Sequence, residues 1–99
     1  MKYEAFIKAT EQDTPPTEIP PLLLSLWHIK KGDWSAAHDI AQEIETADGS
    51  WVHAYLHRIE GDDWNAGYWY RRAGRDFPTQ NLDDEWEILV RHFLDIFLE

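Results

Sequence analysis

The chain has 99 residues, 43% of them hydrophobic and 14% aromatic with six tryptophans, which is enough to build the core of one domain. Nineteen acidic residues oppose nine basic ones, and the net charge of −10 argues against nucleic acid or an anionic membrane as partner. The absence of cysteine excludes disulfides, thiolate catalysis and thiolate zinc sites.

Proline and glycine mark the boundaries of the first two predicted helices. The first helix is predicted from residue 1 to about residue 12, and the proline-rich segment 13–21 is predicted to be extended. Pro20 and Pro21 are suited to the first turn of the second helix, because N–H groups there have no partner within a helix. Gly32 is expected to end this helix.

Four more helices follow, and no segment shows the alternation typical of a strand, so the sequence predicts an all-α fold. Asp33 is expected to cap the third helix, from Trp34 to about Ala47, which Gly49 would end. The fourth helix is predicted from Trp51 to Glu60 with Ser50 as its cap, and the fifth from Asp63 to about Ala73 with Asp62 as its cap. The sixth is predicted to begin after its cap, Asn81, and to run to the C-terminus.

A weak internal repeat relates residues 31–33 to residues 60–62, and Ala37 to Ala66, at an offset of 29 residues. In both copies a glycine and an aspartate precede a helix that carries a small residue. The pattern resembles the tetratricopeptide and Sel1-like repeats, in which paired helices stack into a superhelix. The glycine would adopt a left-handed conformation, the aspartate would cap the helix, and the alanine would allow close helix packing.

This resemblance implies a stack of antiparallel helical hairpins in one domain. Residues 1–21 would form an N-terminal helix and connection, residues 22–75 two hairpin repeats, and residues 76–99 a C-terminal capping helix. The chain also resembles a family of short, uncharacterised bacterial proteins, which implies a bacterial cytoplasmic origin. The segments that carry this second resemblance are 51–58, 60–62, 65–66 and 68–74.

Histidines provide the first candidate site. His53 and His57 are four residues apart on one predicted helix, a spacing that can chelate a metal, although the zincin motif is absent. A third group could come from His28, the repeat equivalent of His57, or from a carboxylate such as Asp48. Alternatively, the imidazoles are core groups bonded to neighbouring polar atoms. The predicted ligand-binding residues are His28, His53, His57, Trp51 and Tyr55, with no metal assigned.

The fifth predicted helix carries the main concentration of basic residues in this acidic chain. Tyr68, Arg71 and Arg72 share one helical face and could bind an anionic or carboxylate-bearing partner. The alternative is a solvated helix face on which these arginines form local salt bridges and cation–π contacts.

The function predicted first is a small protein-interaction module that binds a protein partner or itself. The C-terminal helix, apolar on more than one face near its end, is the expected homodimer contact. The alternative is a small-ligand- or metal-binding protein, such as a hydrolase, that uses the histidines. No catalytic residue and no cofactor are assigned, and the lack of a signal-like or membrane-spanning segment favours a cytoplasmic location.

Overall fold

The computed structural model describes residues 1–98, and these residues form six α-helices and no strand. The all-α prediction is therefore confirmed for the described part of the chain. The helices are α1 (Tyr3–Ala9), α2 (Pro21–Lys30), α3 (Trp34–Gln42), α4 (Ala47–Ile59), α5 (Asp63–Arg72) and α6 (Leu82–Phe97).

The boundary between α3 and α4 lies earlier in the chain than predicted. The third helix ends at Gln42, and the fourth begins at Ala47 instead of Trp51. Thr46, and not Ser50, caps α4, because its side chain accepts the N–H of the residue three positions on. The prediction was wrong here because Thr46 also carries a capping hydroxyl and stands four positions before Ser50, which lies inside α4.

Gly49 was expected to end a helix, but it lies inside the first turn of α4. A Cβ atom at this position would stand 1.9 Å from the carbonyl oxygen of Ile44. Glycine is therefore required here for close approach of the connecting segment to α4, and not for a left-handed conformation.

The repeated glycine–aspartate turn has the same local geometry in both copies. Gly32 and Gly61 have φ values of 82° and 81°, which favour glycine. Asp33 and Asp62 each accept a backbone N–H three residues on, at 3.1 and 3.2 Å. The backbone N–H of each aspartate donates to the carbonyl five residues earlier, at 2.9 and 3.0 Å. These turns begin α3 and α5 at the predicted residues.

Helix α4 is the central element, since it packs against α2, α3, α5 and α6. All eight residues from Gly49 to Leu56 are buried. Ala37 on α3 and Ala66 on α5 are fully buried, as predicted for positions of close helix packing. Because α4 is covered on several sides, both of its faces are interior, and polar side chains on it need partners within the protein.

Helix α6 lies against α1, α2 and α4. The indole N–H of Trp86 donates to the carbonyl of Leu26 at 3.0 Å, which ties the helix to α2. The apolar side chains Leu89, Val90 and Phe93 are fully buried. Towards its end the helix exposes Ile96, Phe97 and Leu98.

Candidate functional site: a three-histidine cluster

Three imidazoles meet between α3 and α4. His38 lies on α3, and His53 and His57 lie one turn apart on α4. The Nε2 atoms of His38 and His53 are 3.0 Å apart, and one ring nitrogen from each histidine lies within 4.8 Å of the others. Tetrahedral zinc bound at ~2.0–2.1 Å would hold its nitrogen ligands roughly 3.3 Å apart. Small rotations of these side chains would therefore bring all three onto one ion. We call this group the histidine cluster.

Two tryptophans hold the histidine cluster in place. The ring of Trp34 stacks on His38 at 4.7 Å, and that of Trp69 stacks on His53 at 3.9 Å. The indole N–H of Trp34 donates to the carbonyl of Leu56 at 2.8 Å, which fixes this ring against α4. Stacked indoles limit the imidazoles to small rotations, so that the three rings stay close to one another before any ligand arrives.

The protein environment favours the neutral forms of His38 and His53. Burial, together with the nearby His38 and His57, lowers the pKa of His53 from its ordinary value of 6.5 to about 4. Burial and the neighbouring His57 also lower the pKa of His38, although Asp39 and Glu60 oppose the shift. Because only a neutral imidazole can ligate a metal, His53 is ready to bind at pH 7 without first losing a proton.

Glu60 orients the third imidazole. Its Oε1 atom lies 2.6 Å from Nδ1 of His57, so Nδ1–H donates to the carboxylate and the Nε2 lone pair is left free. Metal-binding histidines commonly have this second contact, which sets the tautomer and raises the basicity of the ligating nitrogen.

The third histidine differs from the one predicted. His28 was expected beside His53 and His57, but it lies on α2, where its ring packs against Trp27 at 5.2 Å. His38 takes that place. The sequence carried no signal for this residue, because the approach of His38 to His53 depends on how α3 crosses α4.

Trp51 and Tyr55, predicted to wall the ligand site, lie on a different face of α4. Trp51 donates its indole N–H to Glu85 at 3.2 Å, and Tyr55 donates its hydroxyl to the carbonyl of Leu82 at 2.8 Å. Both therefore face the α6 side, whereas the histidines face α3 and α5. Residues at positions 51, 53, 55 and 57 divide between these two sides because a helix turns about 100° per residue.

Sequence reasoning also missed a buried polar network centred on Glu85, which is 2% exposed. Its carboxylate accepts from Arg58 at 2.7 Å, from the Tyr70 hydroxyl at 2.7 Å and from the Trp51 indole. A cavity of about 510 Å³ lies beside it. Both carboxylate oxygens have donors, and these donors lie on α4 and α5, so the network ties both helices to α6. The available signal was an acidic residue on the apolar face of the sixth helix.

The predicted anion-binding residues Tyr68, Arg71 and Arg72 are exposed on α5. The guanidinium of Arg72 donates to the Tyr68 hydroxyl at 3.1 Å and lies 5.2 Å from the centre of the Trp69 ring. They do not belong to the histidine cluster, although Trp69 links the two regions.

Comparison of the chain with protein-family models, curated proteins and solved structures gave no match. Within residues 1–98, no helix combines the length and apolar character needed to cross a membrane.

Proposed function

We propose that this protein binds a divalent transition-metal ion, with Zn²⁺ as the best-fitting ion, through His38, His53 and His57. The observation that carries the proposal is the convergence of three ring nitrogens within 4.8 Å of one another. Imidazole suits zinc, copper, nickel and iron, whereas the harder ions Mg²⁺ and Ca²⁺ prefer oxygen ligands.

The low pKa values of His38 and His53 suit metal binding, because a metal ion needs the lone pair of a neutral imidazole. One ring of the His38–His53 pair donates an N–H to the other at 3.0 Å, and burial, together with the neighbouring His38 and His57, makes protonation of His53 costly and so lowers its pKa. A metal ion would displace this hydrogen bond and attract the lone pairs of all three imidazoles. Three protein ligands also leave a fourth position for water or a small anion, as in catalytic zinc sites.

A metal bound here would join α3 to α4, because the ligands come from both helices. The folded state binds the ion and the unfolded chain does not hold the three ligands together, so binding must stabilise the fold. At a metal concentration of 100 times the Kd, the gain is about 2.7 kcal/mol.

Isothermal titration of the metal-free protein with ZnCl₂ tests the proposal. We expect one Zn²⁺ per chain, and His38→Ala should abolish this binding because it removes one of three ligands. Replacement of the orienting carboxylate, Glu60→Gln, should weaken binding about 10- to 100-fold. His28→Ala and His92→Ala are matched controls, since these histidines lie outside the cluster.

The proposal fails if the wild-type protein binds no Zn²⁺. It also fails if the His28→Ala or His92→Ala variant loses as much affinity as the His38→Ala variant. A circular-dichroism melt of each variant separates loss of a ligand from loss of the fold.

Self-association is a second candidate function, supported by an apolar groove of about 530 Å³. Phe97 lines the groove and is 43% exposed, close to the exposed Ile96 and Leu98. The repeated glycine–aspartate turns support an architecture of helical-hairpin repeats, which commonly serves protein binding. The other groove residues are Pro20, Pro21, Leu22, Ile44, Thr46 and Asp48.

Sedimentation equilibrium distinguishes this candidate. We expect the wild-type protein to be a dimer and the Phe97→Glu variant to be a monomer. The Ile88→Glu variant, changed outside the groove, should remain a dimer. Even a weak dimer should be populated at a protein concentration of about 100 µM. A wild-type protein that is monomeric at that concentration would contradict self-association.

A further inference from the structure

One exposed face of α5 combines large aromatic side chains with arginines. Trp64 is 80% exposed and Tyr68 39% exposed, and Arg71 and Arg72 follow on the same side of the helix. The helical period places these four residues together, with Ala66 and Tyr70 turned to the core. We call Trp64, Tyr68, Arg71 and Arg72 the α5 face.

The arginines of the α5 face have no carboxylate partner among residues 1–98. Ion pairs join Arg58 to Glu85 and Arg91 to Glu87, but no carboxylate lies within 4.0 Å of Arg71 or Arg72. Acidic residues outnumber basic ones by nineteen to nine, so this lack of pairing is not caused by a shortage of acids. Among the described residues the expected ion pairs are therefore absent at these two arginines, whereas the expected cation–π contact is present at Arg72, which lies over the rings of Tyr68 and Trp69.

We propose that the α5 face binds an acidic segment of a partner protein. Carboxylates of the partner would pair with the guanidinium groups of Arg71 and Arg72, which offer several N–H donors in a planar fork. An apolar side chain of the partner would cover Trp64 and Tyr68. Tryptophan, tyrosine and arginine are the residue types that most often dominate the binding energy of protein interfaces.

Charge complementarity favours a short acidic segment over a nucleic-acid strand. The net charge of −10 and the acidic start of α5 at Asp62 and Asp63 would repel a phosphate backbone that continues past the arginines. At physiological ionic strength the Debye length is about 8 Å, so a short segment interacts mainly with the charges closest to it. On the α5 face these are the charges of Arg71 and Arg72.

Fluorescence anisotropy can test this with a labelled 12-residue peptide of alternating glutamate and leucine, in buffer with EDTA and 150 mM NaCl. Chelation makes the result independent of the proposed metal site. We expect saturable binding that weakens as salt rises, and at least a 10-fold increase in Kd for the double variant Arg71→Gln, Arg72→Gln. Trp64→Ala should also weaken binding.

The matched control is the double variant Lys2→Gln, Lys8→Gln, which makes the same change in net charge at exposed positions of the N-terminal segment. It should bind like the wild type. Equal weakening by both double variants would show a nonspecific charge effect and overturn the proposal. Absence of peptide binding, or tighter binding of a labelled 12-nucleotide oligothymidine, would also overturn it.

Discussion

Replacing the buried carboxylate of Glu85 should cause a large loss of stability. Glu85→Ala removes the acceptor for Arg58, Tyr70 and Trp51, all three of which are largely buried. Loss of one partner of a buried ion pair typically costs about 3–5 kcal/mol, and Arg58 would keep only its hydrogen bond to the carbonyl of Gln80. The total stability of a small domain is only about 5–15 kcal/mol, so the variant should be close to unfolding.

Urea denaturation followed by circular dichroism at 222 nm gives the change in unfolding free energy. Glu87→Ala is the matched control on α6, because Glu87 pairs with Arg91 at the surface and both side chains are about half exposed. Glu85→Gln keeps an acceptor and the side-chain volume, so its cost should fall between those of the two alanine variants. If Glu85→Ala costs no more than Glu87→Ala, the reasoning about the buried network is refuted.

Three further outcomes are expected. The pKa of His53 falls from 6.5 to about 4 on folding, so between pH 6.5 and pH 4 the unfolded state binds more protons than the folded state. The free energy of unfolding should therefore decrease as the pH falls through this range, by up to about 3 kcal/mol. In urea titrations at pH 7 and pH 4, this part of the loss should be absent from His53→Gln. Gly49→Ala should lower the melting temperature, because the new Cβ atom would clash with the carbonyl of Ile44. In Gly67→Ala the new Cβ atom meets only the Arg71 side chain at 3.4 Å, so the free energy of unfolding should rise by roughly 0.5–1 kcal/mol. A similar melting temperature for the two would contradict this. Ala66→Leu should cost about 1–3 kcal/mol in urea titrations by overpacking the contact of α5 with α4, and an unchanged midpoint would argue against close packing there.

Local interactions explain which parts of the fold the sequence predicted well. The turns at Gly32–Asp33 and Gly61–Asp62 depend on a left-handed glycine and a capping carboxylate, and both features are visible within a few residues. The cap at Asn81 is of the same kind. The sequence predicted Gly49 to end a helix, but its role is to allow close approach of the backbone of the preceding connection. A glycine near a predicted helix end does not reveal such a contact.

The candidate site was only half predictable for a related reason. His53 and His57 are one turn apart on a single helix, so their proximity follows from helix geometry alone. The third member depends on how α3 crosses α4, and no local pattern sets that crossing. His28 was chosen through the repeat offset, but the offset aligns turns and not the side chains that meet across the hairpin. The network around Glu85 likewise depends on contacts among three helices.

Crystals grown with ZnCl₂ and measured at the zinc absorption edge would test the central claim most directly. The account predicts one strong anomalous peak at ~2.0–2.1 Å from a ring nitrogen of each of His38, His53 and His57, with a fourth ligand that is not a protein side chain. A peak held instead by His92 and Asp48, or by surface carboxylates with no histidine of the cluster, would contradict it.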